Sequence, residues 1–374
     1  MNTRYFFFLL ALVALLLPGA AEAQRIRIVA GNISSGNYQS YDPGEGARIF
    51  KGLKPDIVLI QEFNYKDNTT ADIRSFVTST FGAEFSYFRE AGAQIPNGVI
   101  SRYPILESGE WEDAQVSNRD FAWARIDIPG DKDLWAISVH LLTTSSKRNP
   151  EAIALVDYIK AKIPDDDYLV IGGDFNSSSR NETQFTTFSQ VVHTAGPYPA
   201  DQNGDEDTNA SRAKPYDNVF ADDDLLAIQV PVVIGNSTFA NGLVADTRVY
   251  TPISEISPAL VTDSAASNMQ HMAVVKDFMV PIPDDPAVIP IISSSFDFTP
   301  PAHGSIAFRS TPLASYQIEA TSDLTASNWT TLGEMTAEDT TTTLEIVTAN
   351  AAASQLLDIL LGSEVRRFYR ILRK

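Results

Sequence analysis

The chain of 374 residues carries 47 acidic against 28 basic side chains, a formal charge of −19, with 44% hydrophobic residues and no cysteine. The missing thiols exclude a disulfide framework, a cysteine-held zinc or iron–sulfur site and a cysteine nucleophile. The acidity argues against a broad basic surface that grips nucleic acid by neutralising phosphates. It leaves room for an enzyme that meets phosphate through a metal ion.

Arg4 precedes an apolar run from Tyr5 to Leu17, and Ala21-Glu22-Ala23 forms a small-x-small cleavage signal. Residues 1–23 therefore read as a signal peptide, and the chain as secreted or periplasmic. No later segment approaches the roughly 18 consecutive apolar residues of a membrane helix. A soluble monomer without stable membrane insertion is expected.

From residue 24 to 279 short apolar strands alternate with amphipathic helices, the pattern of an α/β fold. Strands are predicted at Ile26–Ala30, Asp56–Gln61, Gly98–Ser101, Ala122–Ile128, Leu134–His140, Tyr168–Gly173, Asp217–Ala221 and Ala273–Phe278. Helical spacing places Ala47, Ile49, Phe50 and Leu53 on one face. A second helix is predicted to open at Pro150, with Ile153, Ala154, Tyr158 and Ile159 in the core. Residues 280–292 are proline-rich and read as a linker. Residues 293–374 turn Thr/Ser-rich and strand-like, a small separate all-β module.

Several strands end in groups that can ligate or move protons. In Ile171-Gly-Gly-Asp-Phe-Asn176 a buried strand runs into two glycines, and Asp174 and Asn176 lie two apart. In an extended segment such residues point the same way, so a carboxylate and an amide converge. An Asx-turn is the bland alternative. Glu62 follows the buried strand ending in Gln61, His140 closes another, Asp217 opens a third, and His271 precedes the last. Each alone reads more often as an ordinary strand terminus or core residue than as a catalyst.

Together, in this order, they resemble the endonuclease/exonuclease/phosphatase superfamily. The motifs are Asn32, Gln61-Glu62, Ser101-Arg-Tyr-Pro104, His140-Leu141, Gly173-Asp-Phe-Asn176, Tyr216-Asp217 and His271 before the terminal strand. The resemblance implies a four-layered α/β/β/α sandwich followed by the small β domain, with the site at one rim. It implies a metal-dependent hydrolase of phosphate esters, acting on nucleic acid or a small phosphodiester. Glu62 with Asn32 would hold Mg²⁺, or Mn²⁺, an oxygen-ligand set that suits those ions. Asp174 or His271 would take the proton of the attacking water, and His140 would stabilise or protonate the leaving oxygen. Asn176 would hold a non-bridging oxygen, and Asp217 would orient one of the histidines. A catalytically silent binding module and a lipid phosphodiesterase of the sphingomyelinase kind are the rival readings.

One departure stands out. The superfamily motif places an aspartate before the terminal histidine, and here that residue is Gln270. Gln270 is expected to support His271 through its amide oxygen, with Asp217 or Asp263 supplying the missing charge. Two lesser signals remain. Asp201–Asp207 reads as a solvated acidic loop, and the tail Arg366–Lys374, with five basic residues in nine, as a charged edge strand.

Overall fold

The computed structural model describes residues 23–37 and 39–282 and, beyond them, the segments 288–289, 291–297, 303–309, 315–321, 330–336, 341–347 and 368–373. Apart from Ala23, the signal-peptide reading lies outside the described residues. Two units are distinguished, Ala23–Ile282 and the strands from Val288 onward.

The first unit begins β1 (Ala23–Gly31), α1 (Glu45–Leu53), β2 (Ile57–Ile60), α2 (Thr70–Thr80), β3 (Ser86–Arg89) and β4 (Gly98–Ser101). It continues β5 (Ile105–Trp111), β6 (Phe121–Ile126), β7 (Leu134–His140), α3 (Ser145–Lys162), β8 (Tyr168–Asp174), α4 (Thr183–Phe188) and β9 (Asp217–Ala221). It ends with α5 (Asp223–Ala227), short strands β10 (Gln229–Val230), β11 (Val232–Ile234), β12 (Ser237–Phe239) and β13 (Leu243–Ala245), and then β14 (Ala273–Pro281). One sheet has the order β10-β14-β1-β2-β4-β3, with β13 also on β14; the other is β5-β6-β7-β8-β9. Within them β1 runs parallel to β2, and β7 parallel to β8.

Alternate side chains of one strand enter different cores. Ile28 and Ala30 of β1 share a core with Ala136 of β7 and Val170 of β8, between the sheets. Val29 instead joins Phe50 and Leu53 of α1 on the outer face. On the far side Ile137 and Val139 of β7 meet Leu155, Val156 and Ile159 of α3. A strand buried on both faces needs a nearly continuous apolar run, which is how β2, β7 and β8 read. Helix, sheet, sheet and helix stack in that order, the α/β/β/α sandwich expected from the sequence.

The differences are local. Helix α3 begins at Ser145, so Pro150 lies inside it. Arg148 donates to the Leu142 and Thr143 carbonyls while Glu151 accepts from the Leu142 N–H, anchors that offset the backbone donor Pro150 lacks. The buried face is Ala152, Leu155, Val156 and Ile159, whereas the expected Ile153 is 48% exposed. Helix α2 carries a capping box between Thr69 and Asp72, a signal present in the sequence but not used. The acidic run 201–207 is tied down at its buried first residue, where Arg212 donates at 2.8 Å to Asp201, while Asn203, Gly204 and Glu206 stay exposed as a solvated loop would. The Ser101–Pro104 motif sits at the rim opposite Glu62, because Ser101 pairs with Ile57 while Gly98 pairs with Ile60. There Arg102 meets Asp56 at 3.1 Å.

The second unit holds β15 (Val288–Ile289), β16 (Ile291–Asp297), β17 (His303–Arg309), β18 (Ser315–Thr321), β19 (Thr330–Thr336), β20 (Thr341–Val347) and β21 (Phe368–Arg373). They form one sheet of order β15-β21-β18-β19 and one of order β16-β17-β20. The proline-rich stretch 280–292 is thus partly strand, since β14 reaches Pro281, β15 falls within it and β16 begins at Ile291. The basic tail is corrected too: β21 is an inner strand, paired with β18 on one side and β15 on the other.

The two sheets of the first unit meet tightly at Gly172, where a β-carbon would lie 2.6 Å from Leu59 Cδ1 and 3.1 Å from Ala30 Cβ. Gly172→Val should therefore lower stability by about 1–3 kcal/mol, read as a fall in the urea unfolding midpoint. An unchanged midpoint would contradict this packing.

Candidate active site

The candidate residues come from strand ends that meet at one rim. Asn32 and Glu62 follow the parallel strands β1 and β2, whose ends meet at the Tyr41 hydroxyl, its one hydrogen shared between the Gly31 and Gln61 carbonyls, each at 3.1 Å. His140 and Asp174 close the parallel strands β7 and β8 and face each other in register. Asp217 opens β9 opposite Asp174. His271 stands just before β14, bridged to Asn209. All six are 1–7% exposed.

The centre is one oxygen. Asp174 Oδ2 lies 3.2 Å from Asn32 Nδ2, 3.2 Å from His140 Nε2, 3.3 Å from Asn176 Nδ2 and 3.5 Å from His271 Nε2. The convergence expected of Asp174 and Asn176 is real, but it does not arise from an extended strand. Gly173 has φ 137° and Asn176 φ 49°, so the chain turns left-handed and brings the Asn176 amide back onto Asp174. The Asn176 backbone N–H donates to Asp174 Oδ1 at 2.8 Å, the Asx-turn geometry, and its Nδ2 also donates to the Leu141 carbonyl at 2.8 Å. The convergence and the Asx-turn are present together.

His271 Nδ1 lies 2.9 Å from Asp217 Oδ2. Gln270 does not support it: its side chain is exposed, and its carbonyl accepts from the Ala210 N–H. Asp263 is also elsewhere, paired with Arg48 at 2.6 Å. The orienting charge is therefore Asp217, whose own N–H is held by the Thr208 hydroxyl at 2.6 Å.

Two groups escaped the sequence reading. Ser34 donates to Glu62 Oε2 at 2.5 Å, while Asn32 Nδ2 donates to Oε1 at 3.1 Å. Arg119, 7% exposed, donates through Nε to the His140 carbonyl and through Nη2 to the Leu141 carbonyl at 3.0 Å. Only Ser34 had a signal, its place two residues after Asn32.

The electrostatics split the two histidines. Burial pushes His271 down, but Asp217 and Asp174 outweigh it and raise its pKa to about 10. Burial, Arg119 and His271 hold His140 well below its ordinary value. One imidazole is thus charged and the other neutral at pH 7. Burial raises Asp174 to about 6, against the pull of His271, and raises Glu62 against its bonds from Ser34 and Asn32.

The donor set fits a divalent cation. Asp174, Asp217 and His271 offer ligand atoms within 4.8 Å of one another, and the buried Asn32 Oδ1 and Asp217 Oδ1 have no hydrogen-bond partner. His271 is charged and bonded through Nδ1 to Asp217, so neither ring nitrogen has a lone pair to offer, which leaves oxygens as the open donors: Asn32 Oδ1, Asp217 Oδ1, Glu62 and Asp174.

A sequence profile of the Endonuclease/Exonuclease/phosphatase family matches residues 18–239, more than half of the chain. The chain belongs to that family. Two curated sphingomyelinase C proteins of Bacillus cereus are 24% and 23% identical over 177 residues, 42% of this chain. The chain spans about half the length of these relatives, 52% of each. Among solved structures it is similar to a family protein from Leptotrichia buccalis, with TM-score 0.45, 13% identity, and 67% and 98% of the two chains covered. A family protein from Bacteroides vulgatus gives TM-score 0.46, 16% identity and coverage of 69% and 99%.

The charge on His271 depends on its carboxylate neighbours. In Asp217→Asn, NMR titration of the imidazole should show the pKa falling from about 10 toward the ordinary histidine range. A titration that stays near 10 would remove Asp217 from its orienting role.

Proposed function

We propose an exported, metal-dependent phosphoesterase, a phosphodiesterase or nuclease that cleaves P–O bonds by in-line attack of water. One observation carries the reading: the buried line Asp217–His271–Asp174, with His140 on the other side of Asp174. An acid that ionises near pH 6 beside a charged imidazole is a matched base and acid. Export is supported by the apolar run Tyr5–Leu17 and the cleavage signal Ala21-Glu22-Ala23. The β unit is read as an appended module, and one chain supplies every site residue, so a monomer suffices.

Glu62 and Asn32 Oδ1 would hold Mg²⁺ or Mn²⁺, which supplies positive charge to phosphoryl oxygens when bound. Asp174 accepts the proton of the attacking water as its oxygen bonds to phosphorus. The bond from phosphorus to the leaving oxygen breaks, and that oxygen takes a proton from His271. His140, neutral, with Nε2 toward Asp174 and an unpartnered Nδ1, donates a hydrogen bond and has no positive charge to give up. Proton donation therefore moves from His140, where the sequence reading allowed it, to His271. The Asn176 amide is engaged with Leu141 and Asp174, and reaches a non-bridging oxygen by exchanging the latter contact.

The reading of a silent module rested on Gln270, and Asp217 removes its motive. A lipid phosphodiesterase is the second reading, favoured by the sphingomyelinase C relatives and by the adjacent exposed pair Leu260 and Val261, each 52% exposed. Sphingomyelin vesicles beside bis(p-nitrophenyl) phosphate and plasmid DNA separate the two.

With Mg²⁺ or Mn²⁺ present, Asp174→Asn and His271→Ala should each lower kcat on bis(p-nitrophenyl) phosphate by roughly 10²–10⁴-fold. In the wild type, activity should rise as Asp174 loses its proton through about pH 6 and fall as His271 loses its own through about pH 10. Turnover that both variants leave intact would refute the assignment.

A further inference from the structure

His140 is the last residue of β7, and the backbone at and beyond it is held by charged side chains instead of by a neighbouring strand. Strand β6 pairs with β7 from Ile126 and Leu134 only as far as Ala122 and Ser138. Past that register the guanidinium of Arg119, from the loop before β6, takes the place of a backbone partner. Its Nε donates to the His140 carbonyl and its Nη2 to the Leu141 carbonyl at 3.0 Å. Further along, Glu151 of α3 accepts from the Leu142 N–H, and Arg148 donates to the Leu142 and Thr143 carbonyls.

A guanidinium only 7% exposed is costly to bury. Asp174, Glu151, Asp113 and Glu62 offset its charge by their fields, yet every acceptor it bonds is an uncharged oxygen, the third being Asn118 Oδ1 at 3.0 Å. An arginine kept to neutralise charge would fork onto a carboxylate instead. The Leu141 carbonyl is also shared, because Asn176 Nδ2 donates to it at 2.8 Å. One side chain thus fixes the backbone of His140 and the acceptor on which the Asn176 amide rests. The loop bearing Arg119 is itself pinned: the Asp120 N–H donates to Glu90 Oε1 at 2.7 Å, and the Asn118 carbonyl accepts from the Gln94 and Ile95 N–H groups.

We propose that Arg119 is a positioning residue, which sets His140 and Asn176 against the phosphate through the carbonyls of residues 140 and 141 and itself touches neither substrate nor metal. The proposal rests on the phosphoesterase reading of the site. The residue type follows from the task. A planar fork with fixed N–H directions spans two consecutive carbonyls, whereas the ammonium of a lysine meets them as a point charge on a flexible stem.

Kinetics on bis(p-nitrophenyl) phosphate with Mg²⁺ or Mn²⁺ separate this role from a merely structural one. Arg119→Met should lower kcat about 10–100-fold with KM within about twofold, and Arg119→Lys should recover part of the loss. In a protein already carrying His140→Ala and Asn176→Ala, Arg119→Met should cost less than about threefold more, because the groups it positions are gone. An equal loss in both backgrounds, an unchanged kcat, or a loss confined to KM would overturn the proposal.

A second measurement needs no turnover. The His140 Nε2–H, 3.2 Å from Asp174 Oδ2, should give a protected imidazole resonance in proton NMR, identified by its absence in His140→Ala. In Arg119→Met its exchange with solvent should quicken at least about tenfold while the backbone amides of β1 and β2 keep their protection. Arg119→Lys should fall between, and it carries the measurement if Arg119→Met does not fold. Faster exchange of that proton alone upholds the positioning role even where no ester is hydrolysed, a failure that then belongs to the phosphoesterase reading. A His140 N–H unprotected in the wild type, an exchange rate unchanged in the variants, or one that rises equally in the β1 and β2 amides refutes it.

Discussion

A carboxylate kept from water and surrounded by four nitrogens is the contact on which the rest of the site depends. Asp174 Oδ2 has Asn32, His140, Asn176 and His271 all within 3.5 Å, and the residue is 1% exposed. Such a group is tolerable only because its neighbours hydrogen-bond it or carry the opposite charge. Each neighbour comes from a different strand end. The carboxylate therefore fixes the relative positions of β1, β7, β8 and β14 at that rim, and they in turn fix it.

The same burial sets the chemistry. Glu62, Asp174 and Asp217 bring three carboxylates into one buried region, with His271 and Arg119 as the cations whose fields reach them. The excess is negative, and a site in excess negative charge can gain its missing positive charge from a divalent ion. This gives the chain's net charge of −19 a local meaning. An enzyme that borrows a cation to meet phosphate has no need of a basic surface. Asymmetry between the histidines follows from placement alone: His271 sits between two carboxylates, whereas His140 faces one, Asp174, through a single nitrogen and has the Arg119 guanidinium on its own backbone carbonyl.

Most of the scaffold was legible because strands buried on both faces leave continuous apolar runs. Gly98–Ser101, Leu134–His140 and Asp217–Ala221 fall where the pattern predicts, as does helix Glu45–Leu53. Strand β5 escaped because its side chains are mostly exposed, and its Glu, Ser and Gly residues leave no apolar run. The face of α3 was misread by starting at Pro150, since a proline looks like a helix start and side-chain anchors at Arg148 and Glu151 are invisible in one dimension. In the site, residue types and order were legible, and partnerships were not. Whether Gln270, Asp217 or Asp263 stands behind His271 depends on which loop crosses it, and the 208–210 segment settles that in space. Arg119 gave no sign, because its partners are backbone carbonyls that any sequence possesses.

The central claim is that this buried excess of carboxylate oxygen binds a divalent cation. Calorimetric titration of metal-stripped protein with Mg²⁺ and Mn²⁺ tests it directly, with Glu62→Ala and Asn32→Ala as comparisons. The account predicts one site per chain in the wild type, weakened at least about tenfold in either variant. Saturable binding that both substitutions leave unchanged, or no binding by the wild type at millimolar metal, would contradict it.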